Sequence, residues 1–221
     1  CWQVREAFRQ LLLDRKGINS SRIARLFIDQ EGVFEHDREL WALMKEAIER
    51  AGQEGRTGIQ VDIAAGCYYD RKPQLYKGLF SRQNMTRDDL IELYREAVSE
   101  YPFVILEDPL EEDDFEGHAI LTRDLGVQVV GDDLFTTNVE RVQRGIDMGA
   151  ANCVLLKVNQ VGTITEALDM VDLAYRNGYA VMPCSSRGEG PDNADYAVGL
   201  KTGHMREGGL DDETTRLLEI E

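Results

Sequence analysis

The chain has 221 residues, 25 basic against 41 acidic, for a net charge of −16, and it is 43% apolar and 30% charged. That composition suits a folded acidic protein long enough to bury one large α/β core, and it excludes a disordered chain. The charge repels phosphate backbones and anionic lipid, and no apolar stretch approaches the roughly 20 residues of a membrane helix, so nucleic acid and membrane are set aside as partners.

Charges at Arg5, Glu6, Arg9, Asp14, Arg15 and Lys16 leave no room for the apolar core of a signal peptide. Cys1, Cys67, Cys153 and Cys184 form no CxxC pair, so neither a disulfide framework nor a zinc site is expected, and reduced thiols in a cytoplasmic protein fit best. His36, His118 and His204 lack ligand spacing and read as isolated surface histidines.

Short β-rich runs are expected at 26–29, 59–65, 103–107, 127–132, 153–158, 179–183 and 204–206, with helix-length segments between them. In 88–100, Leu90, Leu93, Tyr94, Ala97 and Val98 line one helical face, and Thr86 to Asp89 resembles a capping box. Thr163 to Glu166 resembles another box ahead of a helix over 167–177, which Gly178 ends. Strands rich in Val, Ile and Leu that alternate with helices imply parallel pairing covered on both faces. A doubly wound sheet would carry a glycine-rich phosphate fingerprint after an early strand; none is present, so a TIM-type (β/α)8 barrel is the expected fold. The seven runs fall one short of a closed eight-stranded barrel. Residues 1–221 read as one domain without an internal linker.

The polar residues of these runs carry the chemistry. Asp62 lies well along its run, and Glu107, Asp132 and Lys157 lie at or near the C-terminal ends of theirs, where a barrel presents its reactive groups. Asp132 follows Glu107 by 25 residues and Lys157 follows Asp132 by 25, one βα unit each, so neighbouring strands would bring carboxylates and an amine together. Three converging carboxylates without soft ligands suit a hard cation, Mg²⁺. An amine beside a metal has its charged form disfavoured, which makes Lys157 the candidate base.

Three stretches in order carry a resemblance: Leu106-Glu107-Asp108-Pro109-Leu110-Glu111-Glu112-Asp113-Asp114-Phe115, Val130-Gly131-Asp132-Asp133-Leu134-Phe135-Thr136-Thr137-Asn138, and Leu155-Leu156-Lys157-Val158-Asn159-Gln160-Val161-Gly162-Thr163. Together they resemble the C-terminal barrel domain of the enolase family, over nearly the whole chain. The resemblance implies metal carboxylates at Asp62, Glu107 and Asp132 and a proton-abstracting Lys157. It also implies a capping domain and first barrel elements upstream, and at least a homodimer. The activity it implies is a Mg²⁺-dependent lyase acting on a phospho- or phosphono-carboxylate. Such an enzyme abstracts the proton α to a carboxylate and eliminates a β-hydroxyl, as in conversion of 2-phosphoglycerate to phosphoenolpyruvate.

The chain departs from that family in three places. Where the family has its Gly-Asp-Glu-Gly-Gly acid loop, this sequence reads Ile28-Asp29-Gln30-Glu31-Gly32, so Gln30 or, with a one-residue slip, Glu31 takes the position of the general acid. The family's Ser-His-Arg-Ser-Gly-Glu loop is replaced by Cys184-Ser185-Ser186-Arg187-Gly188-Glu189, which leaves Ser185, Ser186 and Arg187 as substrate-binding candidates. Arg206 stands where the family has a substrate-binding lysine. These changes allow two alternatives, an enzyme like carboxyphosphonoenolpyruvate synthase and a non-catalytic paralogue with a binding or structural role. Cys67 reads as a packing residue and 111–114 as a solvated acidic loop.

Overall fold

A computed structural model describes residues 2–17, 34–184, 190–206 and 212–221. The candidates Gln30, Glu31, Ser185, Ser186 and Arg187, and the run at 26–29, lie outside the described residues. The chain divides into two compact units, Cys1–Val61 with Cys67–Leu106, and Asp62–Gly66 with Glu107–Glu221.

In the first unit, helices α1 (Trp2–Lys16) and α2 (Asp37–Arg50) bury Phe8, Leu11, Leu12, Leu43 and Ala47 between them. Strands β1 (Ile59–Asp62) and β5 (Phe103–Glu107) begin side by side, with the Ile59 N–H donating to the Pro102 carbonyl at 2.7 Å. Between them in sequence, β2 (Tyr69–Asp70), β3 (Leu75–Lys77) and β4 (Asn84–Met85) form a small antiparallel sheet that the periodicity did not indicate. Helix α3 (Arg87–Glu100) starts at the expected capping box: the Thr86 side chain accepts from the Asp89 N–H and the Asp89 carboxylate accepts from the Thr86 N–H. Trp41 sits edge-on to Phe80, Tyr101 and Phe103 at centroid distances of 5.3 to 5.8 Å.

The second unit alternates helices and parallel strands: α4 (Phe115–Leu125), β6 (Gln128–Gly131), α5 (Val139–Met148), β7 (Cys153–Leu156), α6 (Val158–Val161), α7 (Ile164–Arg176) and β8 (Ala180–Pro183), followed by α8 (Asp192–Gly199) and α9 (Asp212–Ile220). β6, β7 and β8 pair in that order, with Val130 opposite Cys153 and Cys153 opposite Ala180. The unit also holds the last residues of β1 and β5. The Ile63 N–H donates to the Glu107 carbonyl at 3.0 Å and the Asp108 N–H to the Val130 carbonyl at 3.0 Å, which sets these ends beside β6. All four residues of β7 are buried, as a parallel strand covered on both faces requires. Its core includes Val129, Phe135, Val142, Val154, Met170 and Val181. Each large apolar side chain so buried contributes about 1.5–3 kcal/mol.

Several expectations are corrected. The run 153–158 ends as a strand at Leu156, because Lys157 opens α6 and Gly162, at φ 94°, closes it. The run 59–65 stops at Asp62, since Ala64 adopts φ 44° and Ala65 begins a 3-10 turn. The run 204–206 is no strand; Arg206 alone bridges to Cys184. His118 is fully buried rather than a surface residue, and Cys67 is exposed rather than packed.

Candidate active site

The C-terminal ends of β1, β5, β6 and β7 bring Asp62, Glu107, Asp132 and Lys157 into the second unit. Glu107 and Lys157 are 0% and 3% exposed, although both carry polar heads that water would solvate. Burying such groups is costly unless each is paired. Lys157 Nζ is ion-paired with Asp132 Oδ2, and Gln160 Nε2 donates to Asp132 Oδ1 at 2.6 Å. Arg206 reaches the other carboxylates, donating from Nη1 to Glu107 Oε1 at 2.6 Å and from Nη2 to Asp62 Oδ2 at 2.9 Å.

The structure adds a residue to which the sequence reading gave no role. The Asp108 carboxylate accepts from the backbone N–H groups of Asp132 at 3.1 Å, Asp133 at 2.7 Å and Leu134 at 3.3 Å, so it ties the end of β5 to the loop after β6. Asp62, Glu107 and Asp108 each bring one carboxylate oxygen within 4.8 Å of the other two, and Asp108, Asp132 and Asp133 do the same. Asp62, Glu107 and Asp132 are thus distributed over two acidic groups that share Asp108. Burial, followed by the nearby Asp62, pushes the Glu107 carboxyl up to about 9. Burial also pushes Asp108 up to about 8, against the pull of its N–H donors.

A second support runs through Thr137. Its hydroxyl donates to Gln160 Oε1 at 2.6 Å and accepts from the Lys157 N–H at 3.1 Å, so one side chain fixes both the backbone of Lys157 and the amide that holds Asp132. Gln160 follows Lys157 by three residues and so lies on the same face of the short helix, a spacing visible in sequence. Thr137 had no such signal, because its role depends on backbone geometry: Thr136 and Thr137 adopt φ 48° and 54°. Ala64 and Asp108, at φ 44° and 43°, are also left-handed and lie within two residues of Asp62 and Glu107. Strain of this kind, about 1–3 kcal/mol per residue, persists where surrounding contacts fix it and collects at functional sites.

The donor set fits a hard divalent cation. Among the described residues the candidate ligand atoms that gather here are carboxylate oxygens, and Glu107 Oε2 is buried without a hydrogen-bond partner, which leaves a polar atom that the described protein groups do not satisfy.

Comparison with known proteins gives the family. The family described as "Enolase, C-terminal TIM barrel domain" matches residues 29–218. An enolase of Methanococcus aeolicus is 40% identical over 215 residues, 94% of this chain and 49% of that protein. The enolase of Methanocaldococcus jannaschii is 40% identical over 93% of this chain and 48% of its own length, and that of Methanopyrus kandleri is 47% identical over 75% and 40%. The chain therefore spans about half the length of these curated relatives. With a family match over most of its residues, and strand ends that carry Asp62, Glu107, Asp132 and a buried lysine, the chain belongs to the enolase family through its C-terminal TIM barrel domain.

Proposed function

We propose that this chain carries the catalytic half of a Mg²⁺-dependent enolase-type lyase, converting 2-phosphoglycerate to phosphoenolpyruvate or acting on a related phospho- or phosphono-carboxylate. The observation that carries the reading is the buried Lys157 amine against Asp132, within a site that also holds Asp62, Glu107 and Asp108. Mg²⁺ would be held by Asp62, Glu107 and Asp132, and when bound it would stabilise negative charge on the substrate carboxylate.

The remaining roles belong to the chain. In its neutral amine form Lys157 Nζ takes the proton from the carbon α to the substrate carboxylate and becomes the ammonium that pairs with Asp132; its burial excludes water from competing for that proton. Gln160 holds Asp132 in one rotamer and Thr137 holds Gln160, so the amine faces a fixed carboxylate. Gln30 or Glu31 supplies the position that protonates the leaving hydroxyl; of the two, only Glu31 has a carboxyl proton to give. Ser185, Ser186 and Arg187 grip the phosphate or phosphonate. A homodimer or larger homo-oligomer in the cytoplasm is the setting we infer. Among the described residues no helix is long and apolar enough to cross a membrane.

Arg206 in place of lysine supports a second reading, a changed substrate such as that of a carboxyphosphonoenolpyruvate synthase-like enzyme. The test is an absorbance assay for phosphoenolpyruvate with 2-phosphoglycerate and Mg²⁺, run beside calorimetric Mg²⁺ titration. Turnover is expected, and Lys157→Ala should lower it by about 10³-fold or more with metal binding intact. Metal binding without turnover would move the reading to the altered substrate. Absence of metal binding would leave the non-catalytic paralogue.

A further inference from the structure

We propose that Arg206 is the resident counter-ion of the Asp62 and Glu107 carboxylates, and that a divalent cation reaches these oxygens only by displacing its guanidinium. The inference rests on the reading that Asp62 and Glu107 hold the metal.

The geometry is that of a fork closing on two acids. One Nη of Arg206 donates to Glu107 Oε1 and the other to Asp62 Oδ2, so a single planar cation spans both side chains. The backbone is fixed behind it, because the Arg206 N–H donates to the Pro183 carbonyl at 2.9 Å and Arg206 bridges to Cys184 beyond β8. The side chain itself keeps 27% of its surface exposed and has a route to solvent, whereas Glu107 has none.

Two carboxylates face this one guanidinium, and Glu107 Oε2 is left without a partner. The two residues that Arg206 engages are also two of the three in the gathered group of Asp62, Glu107 and Asp108. A dication bound there would stand beside a second positive charge in a partly desolvated site, where like charges repel strongly. Metal and guanidinium therefore compete for the pair, and Arg206 lowers metal affinity while offsetting part of the pair's negative charge in the metal-free protein. A lysine, the family's residue at this position, offers one compact ammonium and cannot span two carboxylates in the same manner.

The experiment is calorimetric titration of Mg²⁺ into the full chain as the parent, Arg206→Met and Arg206→Lys, with melting temperature recorded with and without metal. Arg206→Met should bind Mg²⁺ at least tenfold more tightly than the parent. Its metal-free form should melt lower and recover more on adding Mg²⁺, and Arg206→Lys should fall between. Equal or weaker Mg²⁺ affinity in Arg206→Met overturns the proposal. If Arg206→Met does not fold without metal, Arg206→Lys decides by the same comparison with the parent. Absence of Mg²⁺ binding in parent and variants alike removes the metal reading itself, a failure distinct from unchanged affinity.

Discussion

Glu107 shows how far one residue's environment sets its chemistry. It ends β5 with no exposed surface; burial first and Asp62 second raise its carboxyl to about 9, and the Arg206 guanidinium offsets only part of that. Because the folded value lies above the unfolded one, the metal-free protein loses stability as pH rises from about 4.5 through 9. A cation must displace the same proton, so Mg²⁺ affinity should climb by up to about tenfold per pH unit on the way to 9. Titrations near pH 6.5, 7.5 and 8.5 in buffers of different ionisation enthalpy measure both the slope and the proton released. A flat affinity with no proton release would show that Glu107 is already ionised. At this scale the sequence was informative where placement follows from position along a strand: Asp62, Glu107, Asp132 and Lys157 all fall in one unit. It was silent on Asp108, whose contribution is three hydrogen bonds to a loop 24 to 26 residues away.

Among the elements, α5 and α4 carry demands that their periodicity does not reveal. A Cβ on Gly145 of α5 would lie 2.3 Å from the Phe135 ring, and one on Gly131 at the end of β6 would lie 2.5 Å from it. The ring thus fills space that only glycine leaves. Gly145→Ala gains about 1 kcal/mol in helix propensity but overpacks the core by about 1–3 kcal/mol, so a net loss near 1 kcal/mol is expected by urea unfolding. In α4, His118 is fully buried with Nδ1 on the Asp114 carbonyl and Nε2 without a partner, and burial pushes its pKa down to about 4. The unfolded chain takes up that proton first as pH falls below about 6.5, so the fold should lose about 3 kcal/mol between pH 6.5 and 4 from this group alone. His118→Leu should remove that part of the acid slope; an unchanged slope would place the loss elsewhere. The capping box at Thr86 and the simpler side-chain cap at Thr163 were legible because capping is local chemistry. The end of β7 was not, since an apolar run alone cannot show that Lys157 leaves the strand to begin a helical turn.

For the whole molecule, alternating elements and parallel strands were legible from the spacing of apolar runs, whereas the small antiparallel sheet was hidden because its strands span only two or three residues. Net charge acts at the same scale. At −16 the chain carries a net field that draws dications and opposes anionic ligands. Buried residues such as Glu107 and Asp132 would lie too close to a bound ion for salt to screen them, but charges a Debye length away are screened, and that length falls from about 30 Å at 0.01 M to about 8 Å at 0.15 M. Mg²⁺ affinity should therefore weaken roughly three- to tenfold as KCl is raised across this range. Arg206→Met should shift the affinity at every salt concentration while leaving the slope unchanged, because it alters a contact and not the distant field. A slope that vanished in the variant would assign the salt dependence to the Arg206 pairs; a parent without any slope would mean that the surface carboxylates serve solvation alone and that the affinity is made entirely within the strand-end site.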